Sequence, residues 1–78
     1  MSHVVRAEMV ASVHSVLVTG DDVIDAGTTL VILESMKMEI PVLSEVAGRI
    51  AEIAVSVGDV VQEGDVIAVI DAVSSDRA

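Results

Sequence analysis

Apolar side chains in this chain come in short runs separated by turn residues. Val13, Val16 and Val18 lie in a run from about Ser12 to Thr19, which Gly20-Asp21-Asp22 ends. Thr28 to Ser35 reads as a strand, followed by a tight reversal and a second strand from about Met38 to Leu43. Ala47-Gly48-Arg49-Ile50 reads as a break that leads into a strand from Ala51 to Val57. Gly58-Asp59 and Glu63-Gly64-Asp65 mark further turns, and Val66 to Asp71 is the last strand. No stretch sustains helical spacing with a cap at each end. Val and Ile dominate the apolar set, and β-branched side chains favour strands. The pattern predicts an all-β chain.

The pattern also repeats. Asp21-Asp22-Val23-Ile24-Asp25-Ala26-Gly27-Thr28-Thr29-Leu30-Val31-Ile32-Leu33-Glu34 resembles Gly58-Asp59-Val60-Val61-Gln62-Glu63-Gly64-Asp65-Val66-Ile67-Ala68-Val69-Ile70-Asp71. In each copy an acidic turn meets an apolar pair, then a polar-polar-Gly turn, then an apolar strand ending in an acid. β units this small do not bury a face alone. Packed face to face they do, as a small sandwich or flattened barrel with an approximate two-fold axis. Leu33, Ile40, Ile50 and Val69 are expected to support its core. One position departs from the repeat: Asp21 stands where Gly58 stands in the second copy. Asp tolerates turn geometry better than most non-glycine residues, so the turn is expected to survive.

A two-residue loop at Met36-Lys37 would set Ser35 opposite Met38, Glu34 opposite Glu39 and Leu33 opposite Ile40. Such loops favour Asn-Gly or Asp-Gly, because both central residues need positive φ. Facing glutamates are mildly destabilising as well. Departures from local design tend to fall where function demands them. Lys37 is the only lysine, and the other cations are Arg6, Arg49 and Arg77. A single primary side-chain amine on a rigid turn, flanked by adaptable thioethers, suits an enzyme that must acylate one amine and no other. The plainer alternative is a turn lysine paired with Glu34 or Glu39, an interaction worth only about 0–1 kcal/mol.

Composition narrows the remaining possibilities. Seventy-eight residues make one small domain, which buries only roughly 60% of the surface its unfolded chain exposes. With no aromatic residue and no cysteine, compactness rests on aliphatic packing, in keeping with a reducing compartment. A formal net charge of -9 repels nucleic-acid phosphates and anionic lipid headgroups, so neither nucleic acid nor membrane is an expected partner. The N-terminus lacks the pattern of a signal peptide, and no apolar run is long enough to span a bilayer. These features predict a soluble, cytoplasmic β domain over residues 1–73, with 74–78 as a flexible tail. An enzyme is not expected: His3 and His14 are isolated, and His14 reads as a solvent-facing strand residue. Asp21, Asp22 and Asp25 lack the spacing of a calcium loop, and the glycines form no phosphate cradle. No metal site is expected.

Glu34-Ser35-Met36-Lys37-Met38-Glu39 resembles the attachment motif of the biotinyl/lipoyl attachment domain family, in which (Ala/Ser)-Met-Lys-Met surrounds the acceptor lysine. Val46-Ala47-Gly48-Arg49-Ile50 and the run from Val57 to Asp65 resemble the strand and turn that follow in that family. The similarity extends from about Val5 to Ile70 and is greatest to the short, free-standing biotinylated carriers of actinobacteria such as mycobacteria. Two features depart from the family. Ala7-Glu8-Met9-Val10-Ala11 stands where Ala-Pro-Met-Pro-Gly is common, and no segment resembles the protruding thumb of some acetyl-CoA carboxylase carriers.

The resemblance implies a flattened barrel of two four-stranded antiparallel sheets, of the biotinyl/lipoyl hammerhead type. It implies a biotin carboxyl carrier protein, non-catalytic in itself, with biotin joined as an amide to Lys37 by a biotin protein ligase. Carboxybiotin would then pass from a biotin carboxylase to a carboxyltransferase and its acyl-CoA or oxo-acid acceptor. Met36 and Met38 would tune recognition, with Glu34, Ser35 and Glu39 forming the hairpin's context. A lipoyl carrier is the nearest alternative, though Asp-Lys-Ala is usual at its tip. An unmodified interaction module is the other, and a native chain carrying no modification would favour it.

Overall fold

The computed structural model describes residues 2–72, and every regular element among them is a strand. In chain order these are β1 (Ser2–Arg6), β2 (Ala11–Val16), β3 (Val23–Ile24), β4 (Thr29–Ser35), β5 (Met38–Leu43), β6 (Gly48–Ile53), β7 (Val60–Val61) and β8 (Val66–Ala72). They form two antiparallel four-stranded sheets, in the orders β1-β8-β6-β3 and β5-β4-β2-β7. The all-β fold class and the two four-stranded sheets are as expected. The expected tail at 74–78 lies outside the described residues.

The repeat proves far more regular than its sequence. β2, β3 and β4 recur as β6, β7 and β8 at a constant spacing of 37 residues, as from Leu30 to Ile67. β4 and β8 share one order of buried, half-buried and exposed positions. The ladder irregularity between Val13 and Ser15 recurs between Ile50 and Glu52. Turn closures match too. Asp22 accepts a 2.8 Å hydrogen bond from the Thr19 N–H, and Asp59 accepts one of 2.9 Å from the Ser56 N–H. In that turn Asp21 takes φ 72°, against 95° for Gly58. Asp therefore holds the left-handed position that glycine fills in the other copy, as its short polar side chain permits.

Leu30, Val31, Leu33, Ile50, Ile67, Ala68 and Ile70 form the most deeply buried part of the aliphatic core between the sheets. Leu33 and Ile50 thus lie where expected, while Ile40 is half-buried against that core. Val69 is a correction: it is half-buried, and its neighbours Ala68 and Ile70 are the fully buried pair. The β1–β8 irregularity, which passes from Ala68 to Val66 between Val5 and Arg6, leaves Ile67 as an extra residue on β8 and breaks simple alternation there, so that Ile67 and Ala68 are both buried.

A second correction concerns Gly48. The segment expected to break the chain is the start of β6, and the expected strand at 51–57 ends at Ile53. Gly48 pairs with Ala72 so closely that a Cβ on it would lie 2.8 Å from the Ala72 Cα and nearer still to the Asp71 carbonyl oxygen. Glycine is there for close approach, a role that looks like a breaker in sequence. The run expected from Ser12 to Thr19 is likewise shorter, ending as β2 at Val16. β1 was not anticipated from the apolar pattern: its single buried residue, Val5, gives it too little alternation to read.

Candidate functional site

β4 and β5 pair in the anticipated register: Leu33 with Ile40, Glu34 with Glu39, and Ser35 with Met38. Met36 and Lys37 form the whole loop, at φ 53° and 66°. Both central residues are left-handed, as the commonest two-residue hairpin requires, yet neither is Gly, Asn or Asp. Each such residue costs roughly 1–2 kcal/mol relative to a right-handed one. The compensation comes from below: Leu33, at the base of the hairpin, is 2% exposed, and Ile40 packs against the same core. A register fixed by a buried face does not slip. The turn is therefore held by the strands that enter it.

The tip is open to solvent. Lys37 is exposed, and Met36 and Met38 are 91% and 63% exposed. Ser35 is half-buried, and Glu34 and Glu39 are exposed. The structure thus gathers all six sequence-predicted site residues in one hairpin. It does not form the anticipated lysine–glutamate pair: among the described residues no carboxylate lies within 4.0 Å of the Lys37 amine. Glu39 instead approaches His14, with 3.7 Å between its Oε2 and the ring Nε2. The His14 Nδ1 shares a 2.8 Å hydrogen bond with Ser15 Oγ.

His14 was read as an isolated, solvent-facing residue. It is exposed, but it stands at the β2–β4 irregularity and reaches Glu39 across β4. Only the sheet order β5-β4-β2 brings these residues together, and no spacing in the sequence reports it. Asp22, considered for a cation, spends a carboxylate oxygen on the Thr19 N–H. Among the described residues no cluster of three His, Cys, Asp or Glu is arranged to hold a metal.

The arrangement presents one primary amine on a rigid two-residue turn, with a thioether on each side and the body of the domain behind it. Among the described residues no carboxylate lies within 4.0 Å of that amine to act as a base. Such a geometry can accept a group and hold it out.

Known proteins resemble this chain in both sequence and fold. The model of the biotin-requiring enzyme family, which covers biotin and lipoyl attachment, matches residues 3–70. The chain is 61% identical over 70 residues to a biotinylated protein TB7.3 homolog of Mycobacterium leprae, covering 90% of this chain and 99% of that protein. Among solved structures, a single-chain, multi-domain long-chain acyl-CoA carboxylase superposes on 96% of this chain with TM-score 0.86 and 29% identity. The Kluyveromyces lactis urea carboxylase superposes on 90% with TM-score 0.84 and 28% identity. This chain spans only 7% and 6% of those two enzymes. With a family match across nearly all its described residues and a full-length relative at this identity, the chain belongs to the biotin/lipoyl attachment family.

Proposed function

We propose that this protein is a biotin carrier, acylated on the Lys37 Nζ by a biotin protein ligase, which then serves a biotin carboxylase and a carboxyltransferase in turn. The observation that carries this reading is the chain's only lysine standing exposed at the tip of a strained left-handed turn. The residues fit the group. An amide at Nζ needs a reachable amine, and Lys37 has no carboxylate partner within 4.0 Å among the described residues. The biotinylated relative supports biotin over lipoyl, as does methionine on both sides of the lysine.

Biotin, once attached, supplies a ureido ring on which a carboxyl group travels. The chain's own residues do the rest. β4 and β5 fix the direction of the arm, and Met36 and Met38 offer apolar, adaptable contact to more than one partner. Tethering raises the effective concentration of the ring at each active site without tight docking. The acidic body favours weak, salt-sensitive contact with basic rims. The chain itself is non-catalytic in this reading and works in the cytoplasm.

The test is the intact mass of the protein from its own source, with tryptic mapping. Trypsin cuts unmodified chain after Arg6, Lys37, Arg49 and Arg77, whereas acylated Lys37 leaves residues 7–49 uncut. A biotinyl increment on that peptide is the expected result. A lipoyl increment would keep the fold and replace the chemistry. An unmodified chain that a cognate ligase also refuses would leave an interaction module.

A further inference from the structure

Met36 and Met38 have a second chemistry available. Their exposures of 91% and 63% contrast with 40% for Met9, the other methionine among the described residues. Neither is in the core, so the fold does not shield either sulfur from an oxidant in solution. Exposed thioethers are the methionines most open to oxidation, and the product is a polar, chiral sulfoxide that disrupts methionine-rich contacts. Because the core does not depend on these two side chains, oxidation changes the recognition surface while leaving the fold in place.

We propose that Met36 and Met38 are a reversible oxidation site that gates acylation of Lys37. The proposal rests on the carrier reading above. The oxidant is a hydroperoxide, with hydrogen peroxide as the simplest case. A sulfur lone pair attacks one oxygen of hydrogen peroxide, an S–O bond forms as the O–O bond breaks, and the departing hydroxide takes the proton of the transferred oxygen and leaves as water. The sulfur loses an electron pair to the oxygen it gains. A ligase surface that takes up an apolar side chain must then take up an oxygen for which it has no donor. Burying an unpaired polar group costs about 1–3 kcal/mol by protein mutational data, a factor of roughly 5 to 150. A dithiol-dependent methionine sulfoxide reductase reverses the step.

The experiment treats the unmodified full chain with graded hydrogen peroxide and follows each methionine by peptide mapping, acceptance of biotin from a cognate ligase, and the melting midpoint. Met36 and Met38 should oxidise before Met9, acceptance should fall roughly fivefold or more, the midpoint should hold, and reductase should restore acceptance. The loss should persist in Met9→Leu, in which that competing sulfur is gone. The gate alone is overturned by faster oxidation at Met9, by equal acceptance of hairpin-oxidised and untreated chain, or by a midpoint that falls with acceptance. Refusal of the untreated chain would instead overturn the carrier reading, and the gate with it, before any peroxide is added.

Discussion

The two halves of the molecule build the same ladder by different means. In one, β4 runs through Met36-Lys37 into β5 and pairs Glu34 with Glu39. In the other, β8 pairs with β1, and Asp71 faces Ser2 at the corresponding rung. The ladder irregularity falls at matching rungs, between Thr29 and Val31 in one and between Val5 and Arg6 in the other. The first pair is joined by the shortest possible hairpin; the second comes from opposite ends of the chain. The fold therefore closes this ladder without a tight turn. A turn that spends two left-handed, non-glycine residues is not explained by what the sheet requires. That asymmetry points to the tip as the place where function overrides local preference.

Lys37→Arg should break the comparison most sharply. It keeps the charge and the length of the side chain, so the melting midpoint should match the parent within about 0.5 kcal/mol of stability. Acceptance of biotin should vanish, because a guanidinium is effectively always protonated. Residual labelling of the variant would show that the amine of the tip is not the acceptor. The core should show the opposite behaviour. Leu30 and Ile67 are equivalent and both 0% exposed, so Leu30→Ala and Ile67→Ala should each cost about 2–5 kcal/mol by chemical denaturation. Costs that differ by more than the cavities explain would mean that the halves are alike in backbone only.

Gly48 and Ala11 are also equivalent, yet only one has room for a Cβ. Gly48→Ala pushes a methyl into the backbone at Asp71 and Ala72 and should cost about 1–3 kcal/mol. Ala11→Gly removes a methyl from a site that holds one, and should cost roughly 0.5–1 kcal/mol through backbone entropy. Denaturation midpoints of the two variants measure how far the second half closes more tightly than the first.

These pairs also show what the sequence makes legible and why. The hairpin register, the repeat and the Asp21 turn could be read because each depends on residues close together in the chain. Gly48 was misread because its reason is a neighbour on β8, far along the chain, and a glycine at a close approach looks like a glycine in a turn. Strict alternation from Ile67 puts Val69 in the core; the extra residue that β8 carries against β1 shifts the buried face to Ala68 and Ile70. β1 could not be read because its partner, β8, lies at the other end of the chain. At the site, the composition of the tip was visible, but the proximity of His14 to Glu39 follows from sheet order alone.

The Asp21 and Gly58 turns allow a finer test. Gly58 sits at φ 95°, beyond the left-handed region that side chains tolerate best, so Gly58→Ala should cost about 1–2 kcal/mol. Asp21→Gly relieves the first-copy turn but adds backbone entropy to the unfolded chain. These terms are of similar size, and the variant should stay within about 1 kcal/mol of the parent. A large gain from Asp21→Gly would mean that the departure from the repeat is strained.

The smallest effects should come from the charges that distinguish the halves. Beside β8, Arg49 approaches Asp71 at 3.8 Å, whereas its first-half equivalent, Ser12, faces Glu34 without offering a charge. In the first half it is His14 that approaches a carboxylate, that of Glu39, at 3.7 Å. All four side chains of these two pairs are more than two-fifths exposed, so solvent screening leaves each pair worth about 0–1 kcal/mol. His14→Ala and Arg49→Ala should therefore shift stability little, and to a similar degree. Function should separate the two pairs, because His14 and Glu39 flank the tip and Arg49 does not. A basic partner that docks on the acidic hairpin should respond to Glu39→Gln, which removes a charge beside the tip, through its salt dependence, and to Arg49→Ala hardly at all. Equal ligase rates for both variants across a salt series would place the docking surface away from the outer face of β2, β4 and β5.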